Sequence, residues 1–138
     1  MGVDFYLRWT DFSDLDRDKQ ITGFATDGEA GYIREAYGNS VLVTETFAPE
    51  SFDFHPCYIM PEGTTELPAE LLPRDAGEEA GFITIDLLRG RMPAVKRDCF
   101  VRYDPDDANA HYRAFEAFLE LAARKLDEGR QVWIYNSY

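Results

Sequence analysis

The sequence predicts an α+β domain with a small, mostly antiparallel sheet whose first and last strands are adjacent, and two long helices packed on one face. Three observations predict this fold. The first and last segments alternate between apolar and polar residues, as half-buried strands do. Two segments in the second half repeat apolar residues at helical spacing. The strand-like segments are segregated from the helical ones, which favours α+β over a doubly wound parallel fold.

The composition predicts a single domain over residues 1–138. Hydrophobic residues make up 45% of the chain and aromatic residues 14%, which is too apolar for a disordered chain. Acidic residues outnumber basic ones 26 to 14, so the net charge is −12. This charge argues against binding to nucleic acid or to a membrane surface. Two cysteines without a Cys-x-x-Cys pair, and a start unlike a secretory signal, favour a cytoplasmic protein with reduced thiols.

The first half of the chain predicts short elements. Residues 2–9 alternate as a strand, with one apolar side made by Val3, Phe5, Leu7 and Trp9. The charged stretch 10–20 has the composition of a loop, and residues 21–24 are predicted to form a short strand. Residues 32–37, bracketed by glycines, are long enough for one or two helical turns. The β-branched residues of 40–47 favour another strand.

The middle of the chain predicts an irregular segment and then a helix. Five of the seven prolines fall within residues 48–81 and argue against long regular elements there. Its aromatic residues predict that this segment packs onto the body of the domain. Apolar residues then recur every three or four positions, which predicts a helix over 84–103 that is kinked at Pro93, or a second helix beginning at that proline.

The end of the chain carries the clearest helix pattern, over residues 105–128. Asp104 can cap this helix, proline suits its first position, and Gly129 can end it. Residues 131–138 alternate again and predict the closing strand. The long helix is amphipathic, so it is expected to dock on the sheet.

Candidate ligand-binding residues occupy the polar side of the first strand and the segment between the glycines. They are Asp4, Tyr6, Arg8, Tyr32, Arg34, Glu35 and Tyr37. With Trp133 and Tyr135 of the closing strand, they are expected to line a groove. The structural alternative is an internal ion pair of Arg34 with Asp4 or Glu35, beside tyrosines that fill a sheet edge.

An acidic repeat resembles the start of a calcium-binding loop. Asp14, Asp16 and Asp18 match its first three ligand positions. However, Lys19 stands where the loop needs glycine, and Ala25 where it needs a bidentate glutamate. The sequence therefore favours a solvated acidic loop, with cation binding left open.

Other metal and catalytic motifs lack their usual spacing. The four metal- or thiol-capable residues are His55, Cys57, Cys99 and His111. They form no close ligand pairs, so structural roles are favoured over a zinc site or a Cys-His nucleophile pair. The nucleophile elbow, the P-loop and the dinucleotide fingerprint do not occur. No metal and no cofactor is predicted.

Two segments carry a family resemblance. They are the opening Gly-Val-Asp-Phe-Tyr-Leu-Arg-Trp at 2–9 and the run Gly-Tyr-Ile-Arg-Glu-Ala-Tyr-Gly at 31–38. With Ile-Thr-Gly-Phe at 21–24 and the terminal Asn-Ser-Tyr, they resemble a small family of uncharacterised bacterial proteins. The resemblance covers the first third and the last residues best, and it implies neither an activity nor a catalytic residue.

Three functions are compatible with these patterns. The favoured one is a soluble acidic binding or accessory module for a protein partner or a small ligand, because charges and aromatic residues are abundant and catalytic motifs are not. The second is a small enzyme in which Asp4 or Glu35 is a general base and Arg34 holds an anionic substrate. The third is an acidic decoy that occupies a nucleic-acid-binding surface. The oligomeric state is left open.

Overall fold

The computed structural model describes residues 2–21, 28–36, 43–71, 79–99 and 104–137, which form an α+β fold. The described strands are β1 (Gly2–Trp9), β2 (Tyr32–Ala36), β3 (Cys57–Met60), β4 (Gly81–Thr84) and β5 (Val132–Ser137). The described helices are α1 (Asp14–Ile21), α2 (Val43–Phe47), α3 (Glu50–Asp53), α4 (Ile85–Asp98) and α5 (Pro105–Asp127), with a 3-10 turn at Ala69–Leu71. None of these helices has the length and apolar character needed to cross a membrane.

The five strands form one mixed sheet in the order β2-β1-β5-β3-β4. The β1–β2, β1–β5 and β3–β5 pairs are antiparallel, and the β3–β4 pair is parallel. In the centre of the sheet Tyr6 of β1 lies opposite Tyr135 of β5. The prediction that the first and last strands are neighbours is therefore confirmed.

The hydrophobic core lies between one face of the sheet and the two long helices. Alternate strand residues point into it: Phe5, Leu7, Trp9, Ile33, Cys57, Ile59, Ile83, Val132 and Ile134. Helix α5 contributes Phe115, Phe118 and Ala122, and α4 contributes Leu88 and Val95, all of them buried. The apolar side of each long helix thus packs against the sheet, as the sequence predicts.

The ends of α5 follow the sequence signals closely. Asp104 Oδ1 accepts hydrogen bonds from the backbone N–H groups of Asp106 (3.1 Å) and Asp107 (3.2 Å), and Pro105 begins the helix. Gly129 follows the last turn with a φ of +78°, a conformation that glycine adopts without strain.

Helix α4 is shorter than predicted. It runs as one element through Pro93 and ends at Asp98, so a separate helix does not begin at this proline. The expected kink at Pro93 stays a prediction, and the last residues of the predicted helix, 100–103, lie outside the described residues.

Two expectations for the first third are wrong. The stretch predicted as a loop contains α1, which a reciprocal cap begins: Ser13 Oγ accepts from the backbone N–H of Asp16 (3.1 Å), and Asp16 Oδ2 accepts from that of Ser13 (3.0 Å). Of the short strand predicted over 21–24, residue 21 ends α1 and the rest lies outside the described residues. The segment predicted as helical turns is β2, because pairing with β1 outweighs its weak helical preference.

In the middle of the chain one expectation is wrong and a second is wrong in part, since the regular elements found there are short. The end of the predicted strand over 40–47 forms α2, whose Phe47 is completely buried. Residues 40–42 lie outside the described residues. The segment predicted to be irregular contains α3 and two sheet strands, β3 and the start of β4. Its aromatic and apolar residues do pack onto the body, with Ile59 buried and Phe54 against the core.

An ion pair joins α3 to α4 at the border of the core. Arg91 donates from both terminal nitrogens to Glu50, at 2.6 and 2.8 Å, and also to the Phe47 carbonyl at 3.0 Å. The side chains of Arg91 and Glu50 are only 24% and 27% exposed. These hydrogen bonds hold the pKa of the Glu50 carboxyl below its ordinary value of 4.5.

Replacing Glu50 with glutamine is expected to lower the free energy of unfolding at pH 7 by about 1–2 kcal/mol, since it leaves the guanidinium without its charged partner. The lowered pKa means that Glu50 stabilises the fold above pH 4.5 and that this stabilisation fades as the pH falls through the folded-state value. Urea unfolding of both proteins at pH 7 and at successively lower pH measures the difference, which should shrink on acidification.

The exposed pair Arg97–Asp98 provides the control. Its side chains are 70% and 50% exposed, so D98N should leave the unfolding curve nearly unchanged at every pH. A difference between wild type and E50Q that stays constant with pH would contradict the assignment of Glu50 as the titrating group.

Candidate functional site

The face of the sheet opposite the core carries a continuous set of aromatic rings, which we call the aromatic face. It comprises Tyr32 (β2), Tyr6 (β1), Trp133 and Tyr135 (β5), Tyr58 (β3) and Phe82 (β4). The strand register places Tyr6 between Tyr32 and Tyr135, and Trp133 next to Tyr58, which in turn lies opposite Phe82. Each ring lies on this face because successive side chains of a strand point to opposite faces, so that the residues next to it in sequence point toward the core. The five strands thus present one aromatic surface.

Three pairs of rings on the aromatic face are in contact. Tyr6 stacks on Tyr32 with a centroid distance of 4.9 Å and an interplanar angle of 15°. Tyr6 also lies 6.0 Å from Tyr135, and Tyr58 meets Trp133 edge to face at 6.2 Å. Tyr135 is 43% exposed, while Tyr6, Tyr58 and Trp133 are half-buried. These contacts restrict the orientations of the rings that take part in them.

A charged hydrogen bond orders the β2 side of this face. Tyr32 is buried, and its hydroxyl donates to Asp4 Oδ1 at 2.7 Å. A buried hydroxyl needs such a partner, and a carboxylate is a strong acceptor. Asp4 therefore holds the outermost tyrosine of the stack in position.

Arg8 of β1 is a cation on the aromatic face. Its Cζ lies 4.6 Å from the centroid of the Tyr135 ring, and 5.9 Å from those of Tyr6 and Phe12. These distances are within the range of cation–π attraction. The Nε atom of Arg8 is buried and has no hydrogen-bond acceptor among the described residues. An unmet buried donor costs about 1–3 kcal/mol.

The structure brings four of the seven predicted ligand-binding residues together. Asp4, Tyr6, Arg8 and Tyr32 share the aromatic face. Position 34 pairs with Asp4, whereas position 35 pairs with position 3 of β1, in the alternation that buries Phe5. Positions 34 and 35 therefore belong to opposite faces of the sheet. The side chains of Arg34 and Glu35, and all of Tyr37, lie outside the described residues.

Two members of the aromatic face, Tyr58 and Phe82, are absent from the predicted set. They belong to β3 and β4, which the prolines of the segment argued against. In the structure burial alternates along β3, with Cys57 and Ile59 buried and Tyr58 and Met60 half-buried, but none of these four residues is strongly polar, so the sequence itself shows little alternation. A four-residue strand bracketed by Pro56 and Pro61 is too short for this pattern to stand out.

The thiol and acidic candidates do not form a reactive centre within the described part of the chain. Cys57 and Cys99 are both buried free thiols, and burial raises the pKa of Cys57 to about 12. Asp14, Asp16 and Asp18 lie in helix α1 instead of a loop, so they cannot wrap around a calcium ion as a binding loop does. Among the described residues, no group of three or more histidine, cysteine and carboxylate side chains is placed to hold a metal.

A second surface feature lies on the helix side of the molecule. A cleft of about 240 Å³ between α4 and α5 is lined by Arg89, Met92, Tyr112, Glu116, Leu119 and Glu120. Its floor is the ordinary apolar seam between two packed helices, and its rim carries charges of both signs. This arrangement lacks the concentration of rings that marks the aromatic face.

Comparison of the chain with protein-family models, curated proteins and solved structures finds no match. The resemblance carried by residues 2–9 and 31–38 therefore stays a prediction.

Proposed function

We propose that this protein is a binding module that holds a partner protein on its aromatic face. The observation that carries the proposal is the ordered row of rings across five strands, with Tyr135 exposed at its centre. Tyrosine, tryptophan and arginine are the residues that most often dominate the binding energy of protein interfaces. All three types occur together on this face.

The dimensions of the face support a protein partner. Five strands spaced about 4.8 Å apart and about 17 Å long present on the order of 400 Å². A standard interface buries about 800 Å² on each partner, so the face supplies the central part and the surrounding loops the rim. The net charge of −12 argues against a nucleic-acid partner. The free, buried cysteines support a reducing compartment such as the cytoplasm.

The test replaces an exposed ring while keeping the fold. Y135A is expected to weaken binding of the partner by about thirtyfold or more, the effect of losing one interface hot spot. Wild type, Y135A and the control L87A are each used to capture partners from an extract of the source cells. The captured protein is then purified and titrated against all three.

Leu87 is a matched control because it is an exposed hydrophobic residue of α4, at 48% exposure, on the helix side. L87A should bind like wild type. Equal affinity of Y135A and wild type would overturn the proposal, and so would a wild type that captures no protein and remains a monomer by analytical ultracentrifugation.

A further inference from the structure

Within the described part of the chain, Arg8 is one of several arginines that form no ion pair with a carboxylate, and it is the one that lies among the rings of the aromatic face. Arg91, Arg97 and Arg130 each form an ion pair with a carboxylate, at 2.6, 2.9 and 2.8 Å. No such pair joins Arg8 to a carboxylate of the described residues, although acidic residues outnumber basic ones 26 to 14 in the chain. Its guanidinium lies over ring faces instead, which attract a cation but leave its charge in place. This positive charge is therefore available to an acid from outside.

The position of Arg8 is also fixed in advance. The strand pairing places it opposite Trp133, and Tyr135 lies under its guanidinium. No described residue accepts a hydrogen bond from the guanidinium of Arg8, and its Nε is buried, so a ligand would be bound through the terminal nitrogens. A guanidinium is planar, and its N–H fork matches a carboxylate, which it can bind with two hydrogen bonds.

We infer that Arg8 binds a carboxylate of the partner, and that an apolar group next to this carboxylate packs on Tyr135 and Trp133. The inference rests on the proposed function, since it names the chemical group that the aromatic face receives. The carboxylate comes either from the end of the partner chain or from one of its acidic side chains.

Charge favours a carboxylate over a phosphate. Arg8 supplies one positive charge, which a carboxylate balances. A phosphate monoester carries about −1.5 to −2 at neutral pH, and the surplus would face Asp4 and a protein of net charge −12. Asp4 itself is four residues away along β1, about 13 Å, which leaves room for a singly charged group.

The test uses small probes with the wild-type protein. N-acetyl-phenylalanine imitates a chain end with an apolar neighbour, and its amide is the uncharged control. A second pair, N-acetyl-glutamate amide and N-acetyl-glutamine amide, imitates a side-chain carboxylate. Titrations are followed by NMR at the Nε–H of Arg8 and the indole N–H of Trp133. At least one acid is expected to bind about tenfold more tightly than its amide, the effect of a charge-assisted hydrogen bond.

Equal binding of each acid and its amide would overturn the inference, as would tighter binding of inorganic phosphate than of both acids. The acid that shows the preference identifies the source of the carboxylate. R8Q should remove this preference, while R97Q, which alters an exposed arginine already paired with Asp98, should keep it. An unchanged amide NMR spectrum outside β1 and its neighbours confirms that R8Q is folded.

The outcomes separate the inference from the proposed function. If acid and amide bind equally but Y135A still loses the partner, the carboxylate is wrong and the binding face stands. If the acids bind through Arg8 but Y135A captures the partner as wild type does, the aromatic face has a small-ligand role and the protein-binding proposal fails.

Discussion

Replacing Phe118 with alanine is expected to lower the free energy of unfolding by about 3–5 kcal/mol. Phe118 is completely buried in the middle of α5, with its ring 4.9 Å from that of Phe5 in β1 and 6.3 Å from that of Phe47 in α2. Three elements distant in sequence meet at this side chain. Its removal therefore leaves a cavity that no single element can close by shifting.

Urea unfolding followed by circular dichroism measures this loss. L87A is the control, because Leu87 lies in a helix but is 48% exposed, and we expect it to change stability by less than about 0.5 kcal/mol. A loss below about 1 kcal/mol for F118A would contradict the assignment of this ring cluster as the centre of the core. At temperatures where F118A remains folded, it should still bind the partner, because its cavity lies on the opposite side of the sheet from the aromatic face.

The ends of the chain could be predicted because their signals are local. The alternation in residues 2–9 sorts Phe5 from Tyr6 without knowledge of any partner. Asp104 and Gly129 fix the limits of α5 through bonds and backbone conformations that involve only adjacent residues. Because α5 is amphipathic, it must pack on a sheet. This requirement led to the prediction that the first and last strands are adjacent.

The short elements could not be predicted because distant contacts decide them. Gln20 of α1 is buried, and its Nε2 donates to the carbonyls of Leu7 (2.8 Å) and Ala30 (3.0 Å). The charged sequence around Gln20 does not indicate this contact. Similarly, α2 contains β-branched residues that favour a strand, but the burial of Phe47 against Phe5 is compatible with a helix at this position.

The residues of the candidate site could be predicted from the sequence where the strand that carries them could be predicted. Asp4, Tyr6 and Arg8 came from the alternation of β1, and the structure places them on the same face as Tyr32. The contact of Arg8 with Tyr135 depends on the register of two strands at opposite ends of the chain. A sequence pattern gives the face of a strand but not its register against another strand.

The core and the proposed binding surface use opposite faces of the same strands. In β1, Phe5 and Leu7 are completely buried in the core, while Tyr6 and Arg8 belong to the aromatic face. Because consecutive residues serve different purposes, substitutions on one face need not disturb the other. This division is what allows exposed rings to be removed as tests of binding.

Replacing Gly28 with alanine is the second large effect, and we expect it to lower the free energy of unfolding by about 3 kcal/mol. Gly28 has a φ of +81°, which an L side chain rarely adopts, and a Cβ at this position would lie 1.9 Å from the carbonyl oxygen of Ala114. This oxygen is part of the backbone of α5, which cannot move aside as a flexible side chain would. The substitution must therefore push the segment before β2 away from the helix.

Substitutions at two other glycines distinguish the two causes of this loss, which are the backbone conformation and the steric clash with α5. Gly63 has a similar φ of +86° but no atom within 4 Å of an added Cβ, so G63A should lose only the backbone contribution of about 1–2 kcal/mol. Gly90 lies inside α4 with open space around it, so G90A should stabilise the protein by about 0.5–1 kcal/mol. If urea unfolding shows G28A to be no less stable than G63A, the close approach of Gly28 to α5 is refuted, because conformation alone would then account for both losses.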